Sequence, residues 1–391
     1  MPRPAARHVV AALLLASCSS PKPADSPHDV TAFIGTYTRG WACADAPPAA
    51  CTSHGIYAAA FDTTTGALAV PRLVAQGENP SYLALALDRQ HLYAVNEVDD
   101  AGNPGTKTGS LTAYVINPDG TLRELNRVLS HGADPTHLAL SRSGRTVLAA
   151  NYGGGSVIAF GVGADGRLGE GHAVAHAGTG PNHDRQQGPH AHFITQARNG
   201  RVYAADLGAD KVFIYQLDDS TATLTPNSPP FATLPPGSGP RHLAFHPTKD
   251  VVYVTAELTT QVAAFTVGAD GGLVPLETVS AIPPGTKDST RLSTAAVQVT
   301  PDGRFLLATV RGANQVGVWA IGDDGRLTRV GFTPSGGSTP RELQLAPGGR
   351  FVLVGNQASN QVTIFELGAA GQLKRKGGST AVSRPVNFTF R

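Results

Sequence analysis

Gly188-Pro189-His190-Ala191-His192-Phe193-Ile194 is followed by Val202-Tyr203-Ala204-Ala205-Asp206-Leu207-Gly208 and then by Lys211-Val212-Phe213-Ile214-Tyr215. Its period is that of one β-strand, a turn, a second strand ending in Asp-Leu-Gly, and a third strand alternating apolar and polar. The second strand recurs as Phe33-Ile34-Gly35-Thr36-Tyr37, Tyr93-Ala94-Val95-Asn96-Glu97 and Leu148-Ala149-Ala150-Asn151-Tyr152. It returns as Tyr253-Val254-Thr255-Ala256-Glu257, Leu307-Ala308-Thr309-Val310-Arg311 and Leu353-Val354-Gly355-Asn356-Gln357. Spacings of roughly 45 to 60 residues lie inside or just above the range of propeller repeats.

The first strand of each unit tends to start at a proline, as in Asn79-Pro80-Ser81, Asp134-Pro135-Thr136, Gly239-Pro240-Arg241 and Thr339-Pro340-Arg341. Turns such as Asp165-Gly166, Asp270-Gly271 and Asp324-Gly325 lead to a fourth strand. Four antiparallel strands in each of seven repeats predict an all-β, seven-bladed β-propeller. Val30 to Phe33 has no full blade before it and Pro385 to Phe390 has none after it. The two ends are therefore expected to complete one blade together, closing the ring and hiding its edges.

Composition agrees. The 391 residues include 45 Gly and 29 Pro, only 15% are charged, and the net charge is +2, which suits short strands and tight turns. The scattered basic residues give no nucleic-acid footprint. Arg3 and Arg7 precede the apolar run Val9 to Ala16, too short to span a bilayer, so residues 1–17 read as an export signal. Leu15-Ala16-Ser17-Cys18 resembles a bacterial lipobox, in which Cys18 becomes the lipidated first residue. Residues 18–29 then form a tether and residues 30–391 the propeller. In an oxidising compartment Cys43 and Cys51 are expected to pair, because two cysteines supply only half a metal site. The protein is expected on the periplasmic side of the cell envelope as a monomer, touching the membrane only through the Cys18 lipid.

In an up-and-down blade the innermost strand starts on the face where the second strand ends. Two columns of residues should therefore ring one mouth of the central channel. The first reads Ser81, Thr136, His190, Arg241 and Arg341. The second reads Tyr37, Glu97, Tyr152, Leu207, Glu257, Arg311 and Gln357. A structural ring would accept small neutral residues, whereas this one gathers His, Arg and Glu.

Gly35-Thr36-Tyr37-Thr38, Asn79-Pro80-Ser81-Tyr82, Ala150-Asn151-Tyr152, Arg185-Gln186 before Pro189-His190-Ala191-His192, Asp206-Leu207-Gly208, Gly239-Pro240-Arg241-His242 and Asn356-Gln357 occur in this order. The ordered set resembles the seven-bladed lactonase family, which contains propeller-type 6-phosphogluconolactonases and carboxymuconate-lactonising enzymes. The resemblance runs from about Phe33 to Phe390. It implies a catalytic His at His190 or His192, an Arg at Arg241, a Glu at Glu257 and a second Arg at Arg311. Where family members often read Ala-Glu-Ile-His, this chain has Ala296 and Gln298 in place of Glu and His. That loss is expected to alter the ring beside Arg311.

Opening a lactone needs an activated water and a stabilised oxyanion. His190 or His192, with an ordinary pKa near 6.5, could act as general base. Glu257 could serve instead, or orient and charge-stabilise that His. Arg241 and Arg311 could steady the oxyanion or grip a carboxylate or phosphate. Tyr37, Glu97, Tyr152 and Arg341 are candidates for lining the substrate pocket. Arg241 and Glu257 could equally form a structural inter-strand ion pair. One of His190 and His192 must point to the opposite side of the strand. No carboxylate joins His183, His190 and His192 at ligand spacing, so no metal is expected, and no cofactor is implied. The expected partner is a small lactone, of a sugar or related acid. A muconate-type lactonising enzyme and a non-catalytic envelope binding propeller are the alternatives.

Overall fold

The computed structural model describes residue 1 and residues 29–40, 43, 51–101 and 105–391. Residues 2–28, which hold all but the first residue of the signal segment, Cys18 and all but the last residue of the tether, lie outside the described residues. The strands group into seven sheets of four, each antiparallel and each in simple sequence order from the channel outward but one. In that one, blade 1, the C-terminal strand Pro385–Phe390 is innermost and pairs with the N-terminal strand Asp29–Thr36, with Phe33 opposite Thr389 and Gly35 opposite Asn387. The ends of the chain thus complete the seventh four-stranded blade and close the ring, as the sequence predicts. The inner strands of blades 2 to 7 are Leu83–Leu85, Pro135–Leu140, Ala191–Gln196, Pro240–Phe245, Ser293–Val299 and Pro340–Leu345.

Hydrophobic pattern explains the layering. The second strands are largely buried, Val251–Ala256 at every position, because neighbouring blades cover both faces. Outermost strands, such as Leu122–Leu129, are largely exposed. Each core lies between two blades: Val212 and Ile214 of blade 4, for example, pack against Val252 and Val254 of blade 5. Polar latches reinforce these seams. The hydroxyls of Tyr93, Tyr203 and Tyr253 donate to the carbonyls of Gly166, Gly271 and Gly325, at 3.0, 2.8 and 2.8 Å, in the Asp-Gly turns of the following blade. Cys43 and Cys51 form a disulfide with Cα atoms 5.6 Å apart.

Inner strands carry the feature that positions the site. Their register shifts between Pro135 and His137, between Ala191 and Phe193, between Pro240 and Leu243, and between Pro340 and Glu342. Thr136, His192, Arg241 and Arg341 fall within these β-bulges, which re-aim a side chain out of the regular ladder. Just before the bulges of blades 3, 5 and 7, and at the same place in blade 2, a carbonyl fastens the end of the second strand. The N–H groups of Glu97, Tyr152, Glu257 and Gln357 donate to the carbonyls of Asn79, Asp134, Gly239 and Thr339 at 2.8–3.0 Å. All four of those residues have positive φ. At Gly239 (φ +63°) a side chain would also collide with Leu258, 2.6 Å from a Cβ, so glycine is required beside Arg241.

Candidate active site

Members of both columns meet at one mouth, around a cavity of about 440 Å³ lined by Glu97, Asp134, Thr136, Tyr152, Arg185, His192, Glu257, Arg311 and Arg341, whereas Ser81, Leu207 and Gln357 are not among its lining residues. Its size is in the range of small-molecule sites. At its centre one carboxylate holds three guanidinium groups. Glu257 Oε2 is 3.1 Å from Arg241 Nε and 3.0 Å from Arg311 Nη2, while Oε1 is 3.0 Å from Arg185 Nη2. Arg185 Nη2 also donates to the Tyr152 hydroxyl at 3.0 Å, joining blades 3 and 5 across the rim. Burial opposes the charge on Glu257, but Arg311, Arg241 and Arg185 hold its carboxyl down at about 2. It is therefore an ionised and very weak base.

The histidine ambiguity resolves on geometry. The His190 carbonyl accepts from Leu207 N–H at 2.9 Å, as the carbonyls of Asp134 and Gly239 do in their blades. His190 thus stands at the pre-proline position, Ala191 takes the place of the proline, and His192 takes that of Arg241 and Thr136. Counting from Pro189 misplaces the column by two residues, so His190 is replaced by His192 at the mouth. His190 instead stacks behind Tyr152, ring centroids 4.6 Å apart, with Nδ1 2.9 Å from the Tyr152 carbonyl oxygen. His192 is buried. Desolvation, then Arg241 and Arg341, push it well below the ordinary imidazole range, so it stays neutral.

Not every expected residue lines the cavity. Arg241 sits one layer lower, around a void of about 10 Å³ that it shares with Tyr37, Ser81, His242 and Glu342. The Arg241–Glu257 ion pair is present, as one part of the larger cluster. Tyr37 lies beneath Glu97 and donates its hydroxyl to Oε2 and Oε1 at 2.9 and 3.0 Å, with the Arg341 guanidinium 5.3 Å above its ring. Below this layer His137 packs between Tyr82 and Phe193, at 4.1 and 3.9 Å between ring centroids, and narrows the channel.

The expected change beside Arg311 is not at the mouth. Ala296 is fully buried in the seam between blades 6 and 7. Gln298 lines a separate cavity below the Tyr82–His137–Phe193 layer, where its Nε2 donates to Gln344 Oε1 at 2.8 Å and its Oε1 accepts from Leu345 N–H at 2.8 Å. Strand periodicity carries these residues down the channel, away from Arg311.

Arg185 was not singled out as a site residue by the sequence. Its signal was the Arg185-Gln186 pair ahead of the Pro-His motif. Gln186 is fully buried and donates to the Leu207 carbonyl and to Asp210 Oδ1, both at 2.8 Å, which fixes the loop that delivers Arg185. Among the described residues no three His, Cys, Asp or Glu side chains gather as a metal site.

Residues 31–390 match the family described as lactonase, 7-bladed beta-propeller. The chain is 36% identical over 317 residues to a 6-phosphogluconolactonase of Bacillus subtilis, covering 80% of this chain and 83% of that one. Among solved structures it resembles the periplasmic gluconolactonase of Pseudomonas aeruginosa, with a TM-score of 0.84, 35% identity, and coverage of 93% of this chain and 99% of that one. A protein from Lactobacillus plantarum matches with a TM-score of 0.83 and 31% identity over 93% of this chain and 99% of that one. Fold, site and similarity agree, and the chain belongs to the seven-bladed β-propeller lactonase family.

Proposed function

We propose that the protein hydrolyses the lactone of a sugar or a related acid at this mouth. The observation that carries the reading is a neutral, buried His192 sharing a 440 Å³ cavity with a carboxylate that holds three arginines. Neutral imidazole accepts the proton of a water attacking the lactone carbonyl. Arg311 and Arg185 face the same cavity and stabilise the oxyanion of the tetrahedral intermediate. Glu257, too acidic to act as base, orients these guanidinium groups, and Arg241 supports it from below. A lactone is already an activated ester, so the chemistry needs no covalent nucleophile. The names of the Bacillus and Pseudomonas relatives support a sugar lactone as substrate.

Location is part of the proposal. The lipobox-like Leu15-Ala16-Ser17-Cys18 and the Cys43–Cys51 disulfide support an exported, Cys18-anchored protein. An envelope location favours an unphosphorylated lactone over a sugar phosphate.

The test is hydrolysis of gluconolactone, its 6-phosphate and an aryl lactone by protein truncated before residue 19, with Arg241→Ala alongside. A rate above the spontaneous blank that falls in the variant supports the reading. Folded protein without activity on any of the three would move the assignment to a muconate-type or non-catalytic propeller.

A further inference from the structure

Three carboxyl groups line the mouth cavity, Glu97, Asp134 and Glu257, and the chemistry above uses only Glu257. Asp134 is half-buried at the entrance to blade 3, whereas Glu97, across the ring from Glu257, ends the second strand of blade 2 and is 3% exposed. Its backbone is clamped twice, by its N–H to the Asn79 carbonyl at 3.0 Å and by Asn79 Nδ2 to its own carbonyl at 3.0 Å. Its carboxyl accepts from the Tyr37 hydroxyl on both oxygens and from the Ser81 hydroxyl on Oε2. Arg341 acts on it as a nearby positive charge that opposes the effect of burial.

The environments of the two acids differ in kind. Glu257 is ringed by cations and stays ionised. Glu97 faces Tyr37 from blade 1, Arg341 from blade 7 and Asp134 from the entrance to blade 3. Burial raises its pKa, Arg341, Ser81 and Tyr37 lower it, and Asp134 adds to the rise, so the net shift is upward. Tyr37 is itself pushed up by burial and remains a phenol that donates. Paired acids whose environments separate their protonation states are the usual arrangement for dividing acid and base roles.

We propose that Glu97 is the general acid of the reaction, delivering a proton to the ring oxygen as the lactone C–O bond breaks. This rests on the lactonase reading above. His192 takes a proton from water as the new C–O bond forms. Collapse of the tetrahedral intermediate then breaks the ring C–O bond, and the departing oxygen leaves as an alcohol with the Glu97 proton. The product acid ionises, His192 releases its proton to solvent and Glu97 regains one, so the net change is lactone plus water to hydroxy-carboxylate plus one proton.

Leaving-group dependence tests the assignment. The ring oxygen of gluconolactone departs as an alkoxide, nearly as basic as hydroxide, and needs the proton. That of dihydrocoumarin departs as a phenolate of pKa about 10 and does not. Glu97→Gln keeps an acceptor for Tyr37 and Ser81 but cannot supply the proton. It should lower kcat/KM for gluconolactone at least 100-fold, within the range for general acid catalysis, and leave dihydrocoumarin within about threefold of wild type. The dihydrocoumarin rate also reports that the variant is folded. Tyr37→Phe should shift the alkaline limb of the gluconolactone pH profile without changing this selectivity. Equal loss on both lactones, or no loss on either, would overturn the general-acid role while leaving the lactonase reading standing. Wild-type protein inactive on both would overturn both.

Discussion

Replacing Glu257 by Gln removes the one ionised carboxylate that three guanidinium groups share at 3.0–3.1 Å. Its side chain is 4% exposed and that of Arg241 3%, so neither charge can turn to solvent when the partner is lost. Breaking a buried ion pair from one side costs about 3–5 kcal/mol. In a domain of this size that corresponds to a fall in Tm of roughly 4–7 °C. Activity should fall as well, because Arg311 and Arg185 lose the group that aims them. Misplacing one oxyanion donor is worth about 10²-fold in kcat. The assay is a thermal melt beside kcat/KM for gluconolactone from about pH 3 to pH 9, low enough to reach a depressed imidazole. The acid limb of that profile should persist in the variant, since it reports protonation of His192 and lies below the ordinary imidazole range. A Tm within 2 °C of wild type and kcat/KM within about threefold would refute the holding role of Glu257. Disappearance of the acid limb would make Glu257 the base and refute the assignment of His192.

Four further outcomes are expected. His192→Ala should lower kcat/KM about 10²–10⁴-fold, whereas His190→Ala, behind Tyr152, should lower it less than about tenfold; steady-state kinetics on the pair decides between them. Arg185→Ala should raise KM and lower kcat/KM while Tm stays within a few degrees, because Arg185 is 41% exposed at the rim; a Tm loss as large as that of Glu257→Gln would make it structural. Tyr253→Phe should destabilise by about 1 kcal/mol, seen in denaturant unfolding, by leaving the Gly325 carbonyl in a buried seam without its 2.8 Å donor. Glu342 is raised to about 8, chiefly by burial with Arg241 opposing, so the folded state binds a proton that the unfolded chain has lost above about 4.3. Its contribution to stability therefore declines as pH rises from about 4.3 to about 8, and Glu342→Gln should gain Tm relative to wild type across that window in melts at pH 5 to 9.

Much of the fold is written locally. The second strands are continuous apolar runs because both faces are covered, and Asp-Gly turns punctuate the outer strands, so seven units can be counted without coordinates. Closure by Pro385–Phe390 follows from counting strands at the two ends. Which face forms the mouth was also legible, since Glu97, Tyr152 and Glu257 end second strands. The β-bulges were not. A bulge shifts the side-chain period by one residue, and in blade 4 Ala191 occupies the place that proline marks elsewhere, so proline alone points to His190. Gln298 was misplaced for a related reason: it shares a strand with mouth residues but lies several residues down the channel. Arg185 was hidden because it belongs to a loop, whose path depends on Gln186 and Asp210 rather than on any repeat.

The location of the chemistry is tested most directly by a crystal structure with gluconolactam, whose ring amide replaces the scissile ester and does not open. The account predicts the lactam in the mouth cavity, its carbonyl within hydrogen-bond distance of Arg311 or Arg185 and its ring nitrogen beside Glu97, with His192 facing the carbonyl carbon. A lactam bound instead at the opposite end of the channel, against Gln298 and Gln344, would contradict it.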